Sequence, residues 1–348
     1  MQPLTYACIG AGAISDKKHL MNYGKLPGVR MAAICDINRS AAERMAGKYD
    51  IHGIYTDYRI MLAEVKPDIV SICTTNNLHR QMAIDALESG ANVHLEKPIA
   101  LDACEAAEIV AAKNRAGKQV MIALNNRFTP ESAYVMHCIG DGFFGDIYHA
   151  TCGWRRRNGI PGKGVWFTDK QKSGGGPLID LGVHYLDLVL YFMGFPEVSR
   201  IDGATYCKFA DQDHRLRPGY RNLGDGRFNV EDMAVGTLHA QNRATVQFEF
   251  SWASNIEKET KYYEIMGTKG GASWRDGELK MFTEFAKTGL TISPDLSLMP
   301  PFPGECAHFA DCVRTGNPVV APAEHGLALM RIIDAIYQSA EKDCEIRL

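Results

Sequence analysis

Short, continuous apolar runs alternate with helical periodicity in the first third of the chain. Residues 5–9, 29–35, 69–73, 92–95 and 120–123 read as buried strands. Residues 13–23, 78–89 and the alanine-rich 101–116 carry helical spacing between them. Such alternation predicts a parallel sheet covered by helices on both faces. After Arg127 the pattern changes. Residues 147–154, 198–206, 233–238, 244–252 and 262–267 are longer and alternate apolar with polar positions, and one helix, 177–192, interrupts them. This predicts a large, mostly antiparallel sheet with one open face. Two long polar stretches, 211–231 and 283–304, are expected as loops that rim a site or reach a partner.

The first strand runs into Gly10-Ala-Gly12-Ala13-Ile14-Ser15, a helix follows, and the second strand ends at Asp36. Strand, glycine turn, helix, strand and acid make a dinucleotide-binding unit. Gly10 permits the turn, and Gly12 lets backbone amides approach a pyrophosphate. Ser15 replaces the third glycine. A carboxylate at Asp36 suits the ribose hydroxyls of NAD and repels the extra phosphate of NADP, whereas Arg39 nearby is a group that accommodates that phosphate. NAD is the expected cofactor. Thr74-Thr75-Asn76-Asn77, Glu96-Lys97-Pro98 and Asn125-Asn126-Arg127 fall at or just past strand ends, where ligands of parallel sheets bind. The expected fold is an α/β Rossmann domain over 1–125, followed by an α+β domain over 126–348 for substrate binding and oligomerisation.

Composition narrows the function classes. The net charge of −3 across 348 residues does not favour nucleic acid as a partner. No apolar stretch approaches the ~20 residues that span a bilayer. The start of the chain lacks the basic and apolar regions of a signal peptide. The ten cysteines include no Cys-x-x-Cys pair, so free thiols in a cytoplasmic protein are expected, with no metal centre. An uncovered sheet face calls for a second copy of the chain, so a homo-oligomer, dimer or tetramer, is expected.

The segment Ser173-Gly-Gly-Gly-Pro177-Leu-Ile-Asp180-Leu-Gly-Val-His184 carries the chemistry. Asp180 and His184 stand four residues apart, on one helix face. Histidine titrates where a proton-transfer group works best. Lys97 is a donor to a reacting oxygen and, if desolvated, an alternative base; sequence does not divide the proton between Lys97 and His184. Pro98 lowers the cost of a cis bond after Lys97 to about 0.5–1 kcal/mol.

Over nearly its whole length the chain resembles the glucose–fructose oxidoreductase / inositol dehydrogenase / MocA family. The resemblance rests on Gly10-x-Gly12, Asp36, Thr74-x-Asn76-x-x-His79, Glu96-Lys97-Pro98, Asn125-x-Arg127-Phe128 and Gly174-Gly-Gly-x-x-x-Asp180-x-Gly182-x-His184-x-x-Asp187. Thr75 departs from the proline usual after Thr74. The resemblance implies NAD(P)-dependent oxidation or reduction of a hydroxyl on a sugar, cyclitol or related polyol. It also implies catalytic roles for Lys97, Asp180 and His184, and a commonly cis Lys97–Pro98 bond. Thr74, Asn76, His79, Glu96, Lys97 and Asn125 join Gly10, Gly12, Ala13, Ile14, Asp36 and Arg39 as candidate cofactor residues.

Arg127, Arg156, Asn158 and Trp166, with Asp180 and His184, are the candidate substrate residues. Aromatic faces and arginine or asparagine donors suit sugar hydroxyls. Strand alternation sends Arg156 to one face and Arg155 and Arg157 to the other. Two other functions use the same residues: transient oxidation by tightly held NAD within a net elimination or epimerisation, and non-catalytic sensing of a sugar or nucleotide.

Overall fold

A computed structural model describes residues 2–224, 226–299 and 303–348. The chain forms two compact units, Met1–Leu124 with Pro303–Met330, and Asn125–Phe302 with Arg331–Leu348. The expected division at 125/126 does not contain this return of the chain. Helix Glu305–Thr315 packs in the first unit, and the Ile122 amide donates to Ala321 O at 2.9 Å.

In the first unit, β1 (Leu4–Ile9), β2 (Val29–Cys35), β3 (Gly53–Tyr55), β4 (Ile69–Ile72), β5 (Asn92–Leu95) and β6 (Val120–Ile122) form one sheet in the order β3-β2-β1-β4-β5-β6. All its pairings are parallel. Strands β4 and β6 are buried at every position, which is why they read as unbroken apolar runs. With three half-buried residues, β3 leaves no such signature. The strand order reverses between β1 and β4, so the ends of these two strands mark the ligand crevice of an open α/β sheet.

The second unit holds a nine-stranded sheet. Its strands are β7 (Ile147–Arg155), β8 (Val198–Tyr206), β9 (Met233–Ala240), β10 (Thr245–Ser251), β11 (Thr260–Gly267), β12 (Gly270–Arg275), β13 (Glu278–Phe285), β14 (Thr288–Ile292) and β15 (Ile346–Arg347). Only β7 and β10 pair in parallel; the rest of the ladder is antiparallel. Part of the loop expected over 283–304 is therefore the strand β14, whose five residues are all exposed and so carry no burial pattern to read. Within the two expected loops, Asp225 and residues 300–302 lie outside the described residues.

Helix Val183–Phe192, buried along nearly its whole length, covers one face of this sheet, with Phe192 against Tyr263 and Tyr185 near Trp274. The opposite face is an open concavity lined by polar groups, among them Thr151, Arg155, Gln247, Glu249, Tyr262 and Glu264. Among the described residues no helix is long and apolar enough to cross a membrane.

Candidate active site

The glycine turn has the shape a dinucleotide cradle requires. Gly10 adopts φ +101°, and a Cβ there would lie 2.4 Å from Cys73 O, so no other residue fits. A Cβ on Gly12 would meet nothing within 4 Å, and Gly12, Ala13 and Ile14 are exposed. Ser15, standing for the third glycine, is buried and donates its hydroxyl to Gly12 O at 2.7 Å. The helix runs from 13 as expected; after Ala13 and Ile14 it carries a π-helical segment, Ser15–Leu20, and returns to α-helix at Met21–Tyr23. Asp36 accepts from the Ala11 amide at 2.7 Å and the Asn38 amide at 2.8 Å, which aims its carboxylate across the turn. Arg39 is drawn to Glu43 at 2.9 Å on the exposed helix face. These residues fit a dinucleotide with a free ribose.

Behind this cradle lies a set of supports. Lys97–Pro98 is cis. Glu96 accepts from His19 Nε2 at 2.9 Å and from the Lys97 amide at 3.3 Å. Burial pushes the Glu96 carboxyl up, but the hydrogen bond and charge of His19, with Lys97 and His94, outweigh it and hold the carboxyl below its ordinary range. His79 is fully buried, its Nδ1 2.8 Å from Pro98 O and its Nε2 3.4 Å from Thr74 O. Burial lowers its pKa, and the neutral ring, with a single N–H, donates to one of these two carbonyls. Glu96 and His79, both expected as cofactor residues, thus act on the loop carrying Lys97. Asn76 is buried, and Thr74 is half-buried at the end of β4. His19 was not among the expected residues, since a lone helical histidine carries no signal of its partner 77 positions away.

In the second unit, Asp180 and His184 line one cavity of about 190 Å³ with Trp154, Arg156, Phe167 and Tyr220. The helix predicted over 177–192 carries, after Pro177, a π-helical segment, Leu178–Gly182, before the α-helix Val183–Phe192. π-Helical segments are uncommon and recur at functional sites; here both site helices carry one in their first turns. The glycine run has a packing cause. A Cβ on Gly175 would lie 1.9 Å from Tyr337 Oη, and one on Gly176 would lie 2.0 Å from Glu231 O. Glu231 then accepts from the amides of Gly176 (2.9 Å) and Leu178 (3.1 Å) and from Tyr337 Oη (2.9 Å). Burial pushes its carboxyl up, against these three hydrogen bonds. Asp180 Oδ2 accepts from the indole of fully buried Trp252 at 3.0 Å, which fixes the carboxylate toward the cavity.

Not every expected substrate residue reaches this cavity. Arg156 does. Arg155 turns to Glu249 at 3.3 Å, and Arg157 donates to Glu257 O at 2.9 Å. Trp166 stacks on Phe167 at 3.8 Å between centroids, and it is Phe167 that lines the cavity. Asn158 accepts from Arg215 at 3.2 Å, away from the lining. Arg127 is a correction. It is buried, paired to Asp187 by Nε (2.9 Å) and Nη2 (2.5 Å), and packed over the rings of Tyr191 and Phe195. Its charge is spent inside the fold, not on a ligand. Asn125 opens the turn Asn125–Phe128 in the second unit.

A Rossmann sheet with its glycine cradle, followed by an open sheet carrying an Asp–His cavity, defines a two-domain nucleotide-dependent oxidoreductase. The matches agree. Residues 4–124 match the model of the GFO_IDH_MocA oxidoreductase family, NAD-binding Rossmann fold, and residues 137–348 match that family's C-terminal alpha/beta domain. The chain belongs to this oxidoreductase family. It is 32% identical over 354 residues to D-glucoside 3-dehydrogenase of Escherichia coli K12, covering 99% of this chain and 98% of that protein. It is 24% identical over 353 residues to inositol 2-dehydrogenase of Rhizobium meliloti 1021, covering 99% and 98%. The solved structure of levoglucosan dehydrogenase in complex with NADH and levoglucosan superimposes with TM-score 0.87 at 23% identity, over 99% of each chain, and so shares the fold.

Proposed function

We propose that this protein is an NAD-dependent dehydrogenase or reductase acting on a secondary hydroxyl of a sugar, glycoside or cyclitol. The observation that carries the reading is the small cavity in which Asp180, His184, Arg156 and aromatic faces meet. Relatives named for glucoside and inositol oxidation support the substrate class.

Gly10, Gly12, Ala13 and Ile14 receive the pyrophosphate, and Asp36 receives the ribose, with NAD favoured over NADP because Arg39 is engaged by Glu43. Bound NAD supplies a hydride acceptor at its nicotinamide ring. The residues of this chain do the rest. His184 and Lys97 handle the hydroxyl proton, and Asp180, oriented by Trp252, holds the substrate hydroxyl or tunes the imidazole. Trp154 and Phe167 offer faces to the apolar side of a sugar ring.

The test is absorbance in the reduced-nicotinamide band when the protein meets NAD and a panel of sugars, glycosides and inositols. Turnover of one panel member is expected, and Lys97→Ala and His184→Ala should each lower kcat by about 10²–10⁴-fold. No turnover across the panel in protein that demonstrably binds NAD would sink the reading. We also propose a homo-oligomer, because the concavity on the uncovered sheet face calls for a second copy. Light scattering is expected to report a dimer or tetramer; a monomer at micromolar concentration overturns it.

A further inference from the structure

The cavity holding Asp180 and His184 carries more positive charge than a neutral hydroxyl needs. Arg156 is only 6% exposed, and its acidic neighbours are Asp180 and Glu259, the latter with Nε to Oε1 at 3.6 Å, beyond hydrogen-bond reach. Its guanidinium instead lies 4.4 Å over the Trp154 ring, against which the Lys261 ammonium also packs at 4.3 Å. Arg217, on the same lining, sits 5.4 Å from the Tyr220 ring and forms no ion pair among the described residues. Arg156, Arg217 and Lys261 therefore face Asp180 and Glu259, and Glu259 is 46% exposed and also accepts from the Trp154 indole at 2.7 Å. Three cations against two acids leave a positive excess around this cavity, which an anionic ligand would offset.

Resting on the dehydrogenase reading above, we propose that the substrate is an anionic sugar, a hexuronic acid or its glycoside, whose carboxylate is received by Arg156 and Arg217. A planar carboxylate matches the guanidinium fork in a two-point contact. Bulk and shape distinguish it from a phosphate ester. A uronate replaces a hydroxymethyl group by a carboxylate of similar bulk, whereas a phosphate ester adds a whole tetrahedral group. Arg156 and Arg217 are then the specificity-determining residues, while Asp180 and His184 remain with the reacting hydroxyl.

The experiment is calorimetric titration of the full-length protein with NADH present. D-Glucuronate, D-galacturonate and methyl glucuronoside are compared with glucose, galactose, methyl glucoside and glucose 6-phosphate. At least one uronate is expected to bind about tenfold or more tighter than its neutral counterpart, as a charge-assisted contact allows. The preference should shrink as salt rises. In Arg217→Gln, and in Arg156→Lys, which keeps the charge but loses the fork, the uronate-to-neutral ratio should fall several-fold. Equal or weaker uronate binding overturns the inference, and so does preference for the 6-phosphate. Turnover of neutral sugars without uronates would end this inference and leave the dehydrogenase reading standing. Preferred uronate binding without any turnover would do the reverse.

Discussion

At the proposed cofactor site, Asp36 is the side chain expected to set cofactor choice. Its carboxylate is held by two backbone amides, so it cannot turn away from a nucleotide to relieve repulsion. Asp36→Ala is expected to narrow the preference for NAD over NADP about tenfold, read as the ratio of kcat/KM values, because hydrogen bonds to a charged group contribute about 1.5–3 kcal/mol. Arg127 makes the opposite case. From the sequence it stands with Asn125 at a strand end and looks like a ligand residue. In the fold it closes a buried ion pair with Asp187 at 0% and 1% side-chain exposure. Arg127→Ala strands that carboxylate and should cost about 3–5 kcal/mol in urea unfolding. Any loss of activity should follow the loss of folded protein. A raised KM for sugar at unchanged stability would restore Arg127 to the substrate site.

At the scale of elements, the helix bearing Asp180 and His184 is positioned from its start. The glycine run lets the chain approach Tyr337 and Glu231 closely, and the Glu231 carboxylate takes two amides that would otherwise lack partners. Glu231→Ala leaves these donors unsatisfied, at about 1–3 kcal/mol each. Melting temperature should drop, and kcat should fall by more than KM changes, because the displaced helix carries the proposed proton-transfer group, His184. An unchanged kcat in the folded variant would mean the anchor is dispensable. The run of glycines was legible as a turn into a helix. Its partner was not, because Glu231 follows 55 residues later in a polar stretch with no periodicity.

Across the whole molecule, the return of residues 303–330 to the first unit has a consequence for pH. Glu305, at the start of helix Glu305–Thr315, faces the buried His94, with Oε1 to Nε2 at 3.5 Å. Burial, and then the Glu96 charge, pushes its carboxyl up to about 8. The folded state therefore keeps this proton to higher pH than the unfolded chain does. The group's contribution to stability is complete below the ordinary carboxylate range and is lost as pH rises through about 8. Melting temperature should decline between about pH 5 and about pH 9, and Glu305→Gln should flatten that decline. Identical slopes in the two proteins would assign the pH dependence elsewhere.

What the amino-acid order determined by itself was local or periodic. Gly10, Gly12 and Asp36 announce the cradle because a turn and a strand end are short-range features. The unbroken strands β4 and β6 and the alternating β10 announce the two sheets because burial repeats along the chain. What the tertiary structure decided were long-range pairings. It set His19 on Glu96, Trp252 on Asp180 and Glu231 on the glycine run. It spent Arg127 in the core and brought 303–330 back to the first sheet. None of these leaves a trace in spacing, because a buried polar group is satisfied by whichever partner the packed fold brings near, however distant in sequence.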